Sequence, residues 1–321
     1  MLAHPKLIKK LIIMKNIKII GLLFISTVLS FSCAKDDSLV NKVLDTTERG
    51  AVLRTQNSTN TYNFYDTTDT RFVFDLSFEA QGAANGADPA SIRIYQGFLD
   101  NTEDEVDNSK AEVLITTLDV SSLSIGDNGF PEYTLPTMQL QDALELSGLS
   151  SGEFFGGDQF VYRLELETTD GRVFTDAVGG TVSGGSFFTS PFSYTVGIKC
   201  VPVSAIPGDY TIIMSDSFGD GWQTTNADAG DGMTVTLNDG TVIEFGMCSP
   251  YAPSDFTCTP GTVAATTTVT IPASATTMLW EFPGDVYGEI SVKIIAPNGV
   301  IALEIGKGEG QVGELFLNIC L

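Results

Sequence analysis

The sequence runs to 321 residues with 40 acidic against 17 basic side chains, a net charge of −23 and a pI near 4.1. Its one histidine, His4, falls in the N-terminal segment, so a chain that loses that segment has no Ser/His/Asp set, no Cys/His pair and no histidine-bound zinc. The acidity opposes nucleic-acid binding, which needs a basic footprint, while 43% hydrophobic and 18% charged residues describe a globular protein long enough for one large or two medium cores.

Lys15 and Lys18 precede an apolar run, Ile19 to Phe31, that stops at Ser32 and Cys33. A basic opening, a short apolar stretch and a small residue at its end predict a signal peptide over residues 1–32, with Met14 as the true start. The run is about two-thirds of the ~20 residues that a membrane-spanning helix needs. Cys33 resembles the lipid-attachment cysteine of bacterial lipoproteins, with Leu29 four residues ahead of it where the usual pattern places leucine three ahead. The AKDDS that follows, Ala34 to Ser38, resembles the export signal that sends Bacteroidota lipoproteins to the outer face of the outer membrane. The resemblance implies a lipid-anchored protein facing the cell exterior. Residues 33–50 are polar and without periodicity, and read as its tether. Loss of residues 1–32 removes five lysines and no acids, so the remainder is more acidic still.

From 51 to 199 short runs alternate apolar and polar: RFVFDLSFE (71–79), SIRIYQGF (91–98), EVLITTLDV (112–120), QFVYRLELET (159–168), RVFT (172–175) and FSYTVGIK (192–199). Period-two runs rich in Val, Ile, Phe, Tyr and Thr, separated by glycine-bearing turns, predict the strands of a β-sandwich. One segment differs. After Thr137, MQLQDALELSG spaces Leu140, Ala143 and Leu144 by three and four residues, which predicts a short helix closed by Gly148. LETTDGRVFTD, Leu166 to Asp176, resembles the immunoglobulin-like N-terminal modules of Bacteroidota outer-membrane lipoproteins related to the starch-utilisation system, and implies an immunoglobulin-like sandwich over 51–199.

With Cys33 assigned to lipid, Cys200, Cys248, Cys258 and Cys320 remain, all in the last 122 residues. An even number in an exported chain predicts disulfides, with three connectivities open. The favoured one joins Cys248 to Cys258 across a ten-residue step and Cys200 to Cys320 at the two ends of one unit, which sets a second domain at 200–321. Its runs are PGDYTIIMSDSFGDGW (207–222), GMTVTLNDGTVIEFGM (232–247), VAATTTVTI (263–271), TMLWEF (277–282), EISVKIIAPNGVIALEI (289–305) and GELFLNIC (313–320). NDG at 238–240 and PNG at 297–299 are hairpin turns, because Asn and Gly accept positive φ. Roughly eight strands over about 120 residues predict a second sandwich, jelly-roll or CUB-like. The fold class expected is all-β, two tandem sandwiches. No long helix follows the signal peptide, which excludes a Rossmann sheet or a TIM barrel.

DSFGDGW, Asp216 to Trp222, is the most distinctive string. It resembles the DSxGDGW segment of secreted and surface β-sandwich modules of Bacteroidota, matching at Asp216, Gly219, Asp220, Gly221 and Trp222. Carboxylates four apart on a glycine-bent loop can converge their oxygens on a cation, and Ca²⁺ takes six to eight such ligands. Asp228 and Asp231 are the further candidates, and the spacing is not that of an EF-hand. The same string also reads as turn chemistry alone, with Asp216 in an Asx-turn and Trp222 as a core anchor.

Aromatic rings near this loop suggest sugar stacking. Phe218, Trp222, Tyr251, Trp280 and Tyr287 are candidates. Trp280, alternating with Met278 and Phe282, reads as core, and both tryptophans belong to a residue type that is mostly buried. Tyr251, inside the Cys248 to Cys258 loop, is the best exposed candidate. The leading expectation is a non-catalytic surface module that captures glycan for an outer-membrane uptake system, with Ca²⁺ as its ion. An adhesion or scaffold subunit that binds other outer-membrane proteins is the alternative, and a carboxylate hydrolase is the third. Exposure of the rings on one face separates the first two.

Overall fold

The computed structural model describes residues 49–320 apart from 84–85, 104–105 and 255. The signal peptide expected over 1–32, the lipid site at Cys33 and the tether as far as residue 48 lie outside the described residues. No helix among the described residues is long and apolar enough to cross a membrane.

Among the described residues nine strands make the first sandwich: β1 (Ala51–Asn63), β2 (Phe74–Gly82), β3 (Pro89–Leu99), β4 (Lys110–Asp119), β5 (Ser124–Ile125), β6 (Pro131–Thr134), β7 (Gln159–Thr168), β8 (Val173–Phe174) and β9 (Ser193–Lys199). One sheet runs β1-β2-β6-β5 and the other β4-β3-β7-β9, with β8 folded back on β7. β1 serves both. It is antiparallel to β2 from Ala51 to Asn60, with a bulge at Gln56, and then parallel to β9 from Thr61 to Asn63. In immunoglobulin lettering this is ABED against C′CFG.

The alternation in β7 sets the packing. Phe160, Tyr162, Leu164 and Leu166 point inward, and Phe74 of β2 stacks on Tyr162 at 4.0 Å across the two sheets. The hydroxyls of Tyr62 and Tyr162 meet at 2.8 Å inside the core, where burial raises both pKa values. On the outer face Arg93 and Arg163 pair with Glu112, Glu165 and Glu167. Helix α1 (Leu140–Ser147) buries Leu140, Ala143 and Leu144, and Gly148 ends it in the left-handed region. A second helical turn, α2 (Gly180–Ser183), buries nothing, which is why no apolar spacing announces it.

The second sandwich has, among the described residues, eight strands: β10 (Gly208–Asp216), β11 (Met233–Leu237), β12 (Val242–Phe245), β13 (Ala264–Ile271), β14 (Met278–Phe282), β15 (Ile290–Ile295), β16 (Ile301–Ile305) and β17 (Gly313–Leu315). They form two four-stranded antiparallel sheets, β13-β10-β15-β16 and β12-β11-β14-β17. Tyr210, Ile212 and Met214 from the first face Val235, Trp280 and Phe282 from the second in one core. The runs 232–247 and 289–305 are hairpins turning at Gly240 and Gly299, both at positive φ.

Gly50–Leu321 forms one compact unit. β9 leads directly into Cys200, and the contacts of that junction come from both sandwiches. Val201 N–H donates to the buried Asn63 Oδ1 at 3.1 Å, Tyr65 Oη donates to the Ile319 carbonyl at 3.0 Å, and the rings of Phe72 and Phe316 meet edge to face at 4.9 Å.

Candidate functional site

The site begins with the period of β10. Tyr210, Ile212 and Met214 face the core, and two residues later the same alternation turns Asp216 inward, leaving it only 2% exposed. A buried carboxylate needs compensation. Asp216 receives part of it from its own loop, since Oδ1 accepts N–H bonds from Gly219 and, at 3.3 Å, from Asp220. Asp216 Oδ2 and Asp220 Oδ1 are buried and have no hydrogen-bond partner among the described residues.

The loop can fold this tightly because Gly219 and Gly221 hold φ of 94° and 84°. At Gly221 a Cβ would run into the Cys248 carbonyl oxygen, so the position excludes a side chain on two counts. Gly221→Ala is expected to cost about 3 kcal/mol of stability, combining left-handed strain with overpacking. Urea denaturation measures it. A loss under about 0.5 kcal/mol, the range of a neutral surface change, would contradict this account of the loop.

A third carboxylate comes from elsewhere in the chain. β15 pairs with β10 so that Ile290 lies opposite Asp216, and Ser217 N–H donates to the Glu289 carbonyl at 3.0 Å. This register carries Glu289 to the DSFGDGW loop. Asp285 fixes the turn before it by accepting N–H bonds from Gly288, Glu289 and Ile290 at 2.8, 3.1 and 2.9 Å. Each of Asp216, Asp220 and Glu289 offers a carboxylate oxygen within 4.8 Å of the other two. Partial desolvation, then the charges of Asp216, Asp220 and Asp285, raise the Glu289 pKa above the ordinary value, against an opposing pull from Lys307. Lys293 and Lys307 are the only basic residues after Cys200, and Lys293 is paired with Glu304 at 2.9 Å.

Three rings surround these acids. Phe218, Tyr251 and Tyr287 are 75%, 59% and 56% exposed, and with Asp220, Asp228, Glu289 and Ala227 they line a cavity of about 440 Å³. Tyr251 rides on the loop closed by the Cys248–Cys258 disulfide, and its hydroxyl donates to Asp220 Oδ2 at 2.8 Å. That bond, and the charge behind it, raise the Tyr251 pKa. Ser249 Oγ fastens the loop by donating to the Asp228 carbonyl. The other disulfide joins Cys200 to Cys320.

The structure rearranges the expected site in two ways. Of the four aspartates read as metal ligands, it gathers Asp216 and Asp220 but replaces the other two with Glu289. Asp228 stands at the cavity wall outside the triad, and Asp231 is occupied in its own turn, where Thr225 Oγ1 donates to Oδ2 at 3.2 Å and Thr224 Oγ1 to its carbonyl at 2.6 Å. Trp222 is not a stacking ring. It is 3% exposed, and its Nε1 donates to the Ser215 carbonyl at 3.2 Å, so it anchors the loop from the core side. Tyr287, also a candidate by sequence, is exposed and takes that place instead. Trp280 is core, packed on Tyr210 at 5.2 Å.

No protein-family model matches the chain, and no curated protein matches it. Among solved structures it is similar to a bacterial adhesin from Mobiluncus mulieris containing intramolecular disulfide, isopeptide and ester bond cross-links, at 14% identity over 78% of this chain and 80% of that chain, with a TM-score of 0.22. A likeness of that size carries no argument about function.

Proposed function

We propose that this is a lipid-anchored protein of the outer membrane's external face, resembling the starch-utilisation lipoproteins, that captures glycan without catalysis and presents it to an uptake system. The single observation that carries the reading is the ring of Phe218, Tyr251 and Tyr287 around the carboxylates of Asp220 and Glu289. Flat rings with apolar faces cover the C–H faces of a sugar, while carboxylates accept its hydroxyls. A cavity of about 440 Å³ lies within the usual range for a small-ligand site.

A panel of neutral and acidic polysaccharides tests it. Retention on at least one neutral glycan is expected, and Tyr251→Ala, Tyr287→Ala and Phe218→Ala should each weaken it by about tenfold. No retention on any glycan rejects the reading. Reducing ends released during the assay would reassign the protein as a hydrolase.

A second reading, adhesion to another outer-membrane protein, draws on the burial of Trp222, which removes one of the rings expected to face a sugar. Capture of a protein partner by the immobilised chain, insensitive to the three ring substitutions, would favour it.

A further inference from the structure

We infer that Asp216, Asp220 and Glu289 form a calcium site, and that the ion completes the cavity by offering its open coordination positions to vicinal hydroxyls of a sugar. The argument starts from an imbalance. Asp216 is buried at the end of β10, its Oδ1 is held by the amides of its own loop, and its Oδ2 has no partner among the described residues. Asp220 repeats the pattern, with Oδ2 bonded to Tyr251 and Oδ1 buried without a partner. A fold that removes two carboxylate oxygens from water and gives neither a donor leaves a strong uncompensated demand for positive charge. Glu289 brings a third carboxylate to the same point instead of a lysine or an arginine.

The chemistry of the donors selects the ion. All three are hard carboxylate oxygens, with no sulfur or imidazole nitrogen, which suits Ca²⁺ or Mg²⁺ and not zinc or copper. Oxygens on one calcium, each about 2.3–2.6 Å from it, can stand up to about 5 Å apart, so a 4.8 Å group fits a single shell. Three carboxylates fill only part of the six to eight positions that calcium takes, and since Asp220 and Glu289 also line the cavity walled by Phe218, Tyr251 and Tyr287, the remainder would open onto it. Two adjacent sugar hydroxyls are neutral, hard and correctly spaced to replace two waters there. Asp220 links the two functions, since it belongs to the three-carboxylate group, has a buried Oδ1 without a partner among the described residues, and holds the Tyr251 ring through Oδ2.

The sugar step rests on the glycan reading above, whereas the ion itself is testable without sugar. Purified protein stripped with EDTA is titrated with CaCl₂ by calorimetry and melted with and without the ion. One saturable site is expected, with a rise in melting temperature of about 5 °C at a hundredfold excess over Kd. Glu289→Gln should weaken calcium binding at least tenfold while leaving the melting temperature in EDTA unchanged or higher, because it removes a repelling charge. Asp231→Asn, outside the triad, should bind calcium as the parent does. No heat and no thermal shift with CaCl₂, or a shift that survives Glu289→Gln, overturns the site. The glycan panel is then run in CaCl₂ and in EDTA. Retention in both alike overturns the bridging role while keeping the glycan reading. Calcium binding with no glycan retained keeps the ion and rejects the glycan.

Discussion

Replacing Cys200 and Cys320 by alanine is expected to lower the unfolding free energy of the second sandwich by roughly 4–5 kcal/mol. The bond closes a loop of 120 residues, and a cross-link over about 100 residues constrains the unfolded chain by about 4.7 kcal/mol. The native contacts around it make the loss local as well as global. β17 is three residues long and, among the described residues, pairs with β14 alone, so the segment after it is held by the burial of Leu317 and Ile319, by single contacts to Tyr65, Phe72 and the Ala302 carbonyl, and by bonds at the disulfide itself. Ile319 N–H donates to the Cys200 carbonyl at 2.7 Å, and Cys200 N–H to Asn318 Oδ1 at 2.7 Å. Gly156, from the first sandwich, lies against both sulfurs with no room for a Cβ. Guanidinium unfolding of the double variant should therefore show an earlier transition of the second sandwich, and hydrogen exchange should rise first in residues 313–320. Loss of the Cys248–Cys258 bond, which closes only ten residues, should cost about 2–3 kcal/mol and act mainly on the loop that carries Tyr251. A penalty for Cys200/Cys320 no larger than that for Cys248/Cys258 would show that loop length does not govern the effect.

Strands that present one face to a core were legible in the sequence because burial imposes a period of two. The run 159–168 coincides with β7, and 192–199 with β9 to within a residue. β1 escaped for a physical reason. Its middle, Gln56 to Asn60, is polar and faces out while the strand passes from one sheet to the other, so its inward residues, Ala51, Leu53 and Tyr62, never form a continuous alternation. β5 and β6 bury no side chain fully, with Tyr133 half-buried against Phe78, and left no mark either. The site divides in the same way. Asp216, Asp220 and the two glycines belong to one string and could be read together, but Glu289 and Tyr287 lie about seventy residues on and arrive only through the pairing of β15 with β10. Register is a property of two strands at once, and a single sequence holds no direct trace of it. Trp222 was open to both readings, sugar-facing ring and core anchor, for a related reason, since a ring beside an acidic loop can face either way, and the packing of the sandwich decides for the anchor.

That decision can be measured. Trp222→Ala is expected to cost about 3–5 kcal/mol, as truncation of a buried aromatic does, whereas Tyr251→Ala, 59% exposed, should stay within about 0.5–1 kcal/mol of the parent. Trp222→Phe keeps most of the apolar volume and removes the Nε1 bond to the Ser215 carbonyl, so its cost should fall to about 1–2 kcal/mol. The pair of substitutions also separates support from contact. If Trp222 is the anchor beneath the DSFGDGW loop, Trp222→Phe lowers stability and leaves ligand affinity nearly unchanged, while Tyr251→Ala does the reverse. A Trp222→Phe variant as stable as the parent but without glycan retention would place that ring against the sugar and overturn the assignment. The physical reason to expect otherwise is the position of Trp222 one residue after Gly221. Gly219 and Gly221 turn the backbone so that Asp220 faces the cavity, and a bulky ring driven into the core directly behind them keeps that turn from relaxing. Trp222→Phe leaves a ring in that place and the turn intact, whereas Trp222→Ala removes the support itself, and its damage should first appear as motion of Asp220 and its bond to Tyr251.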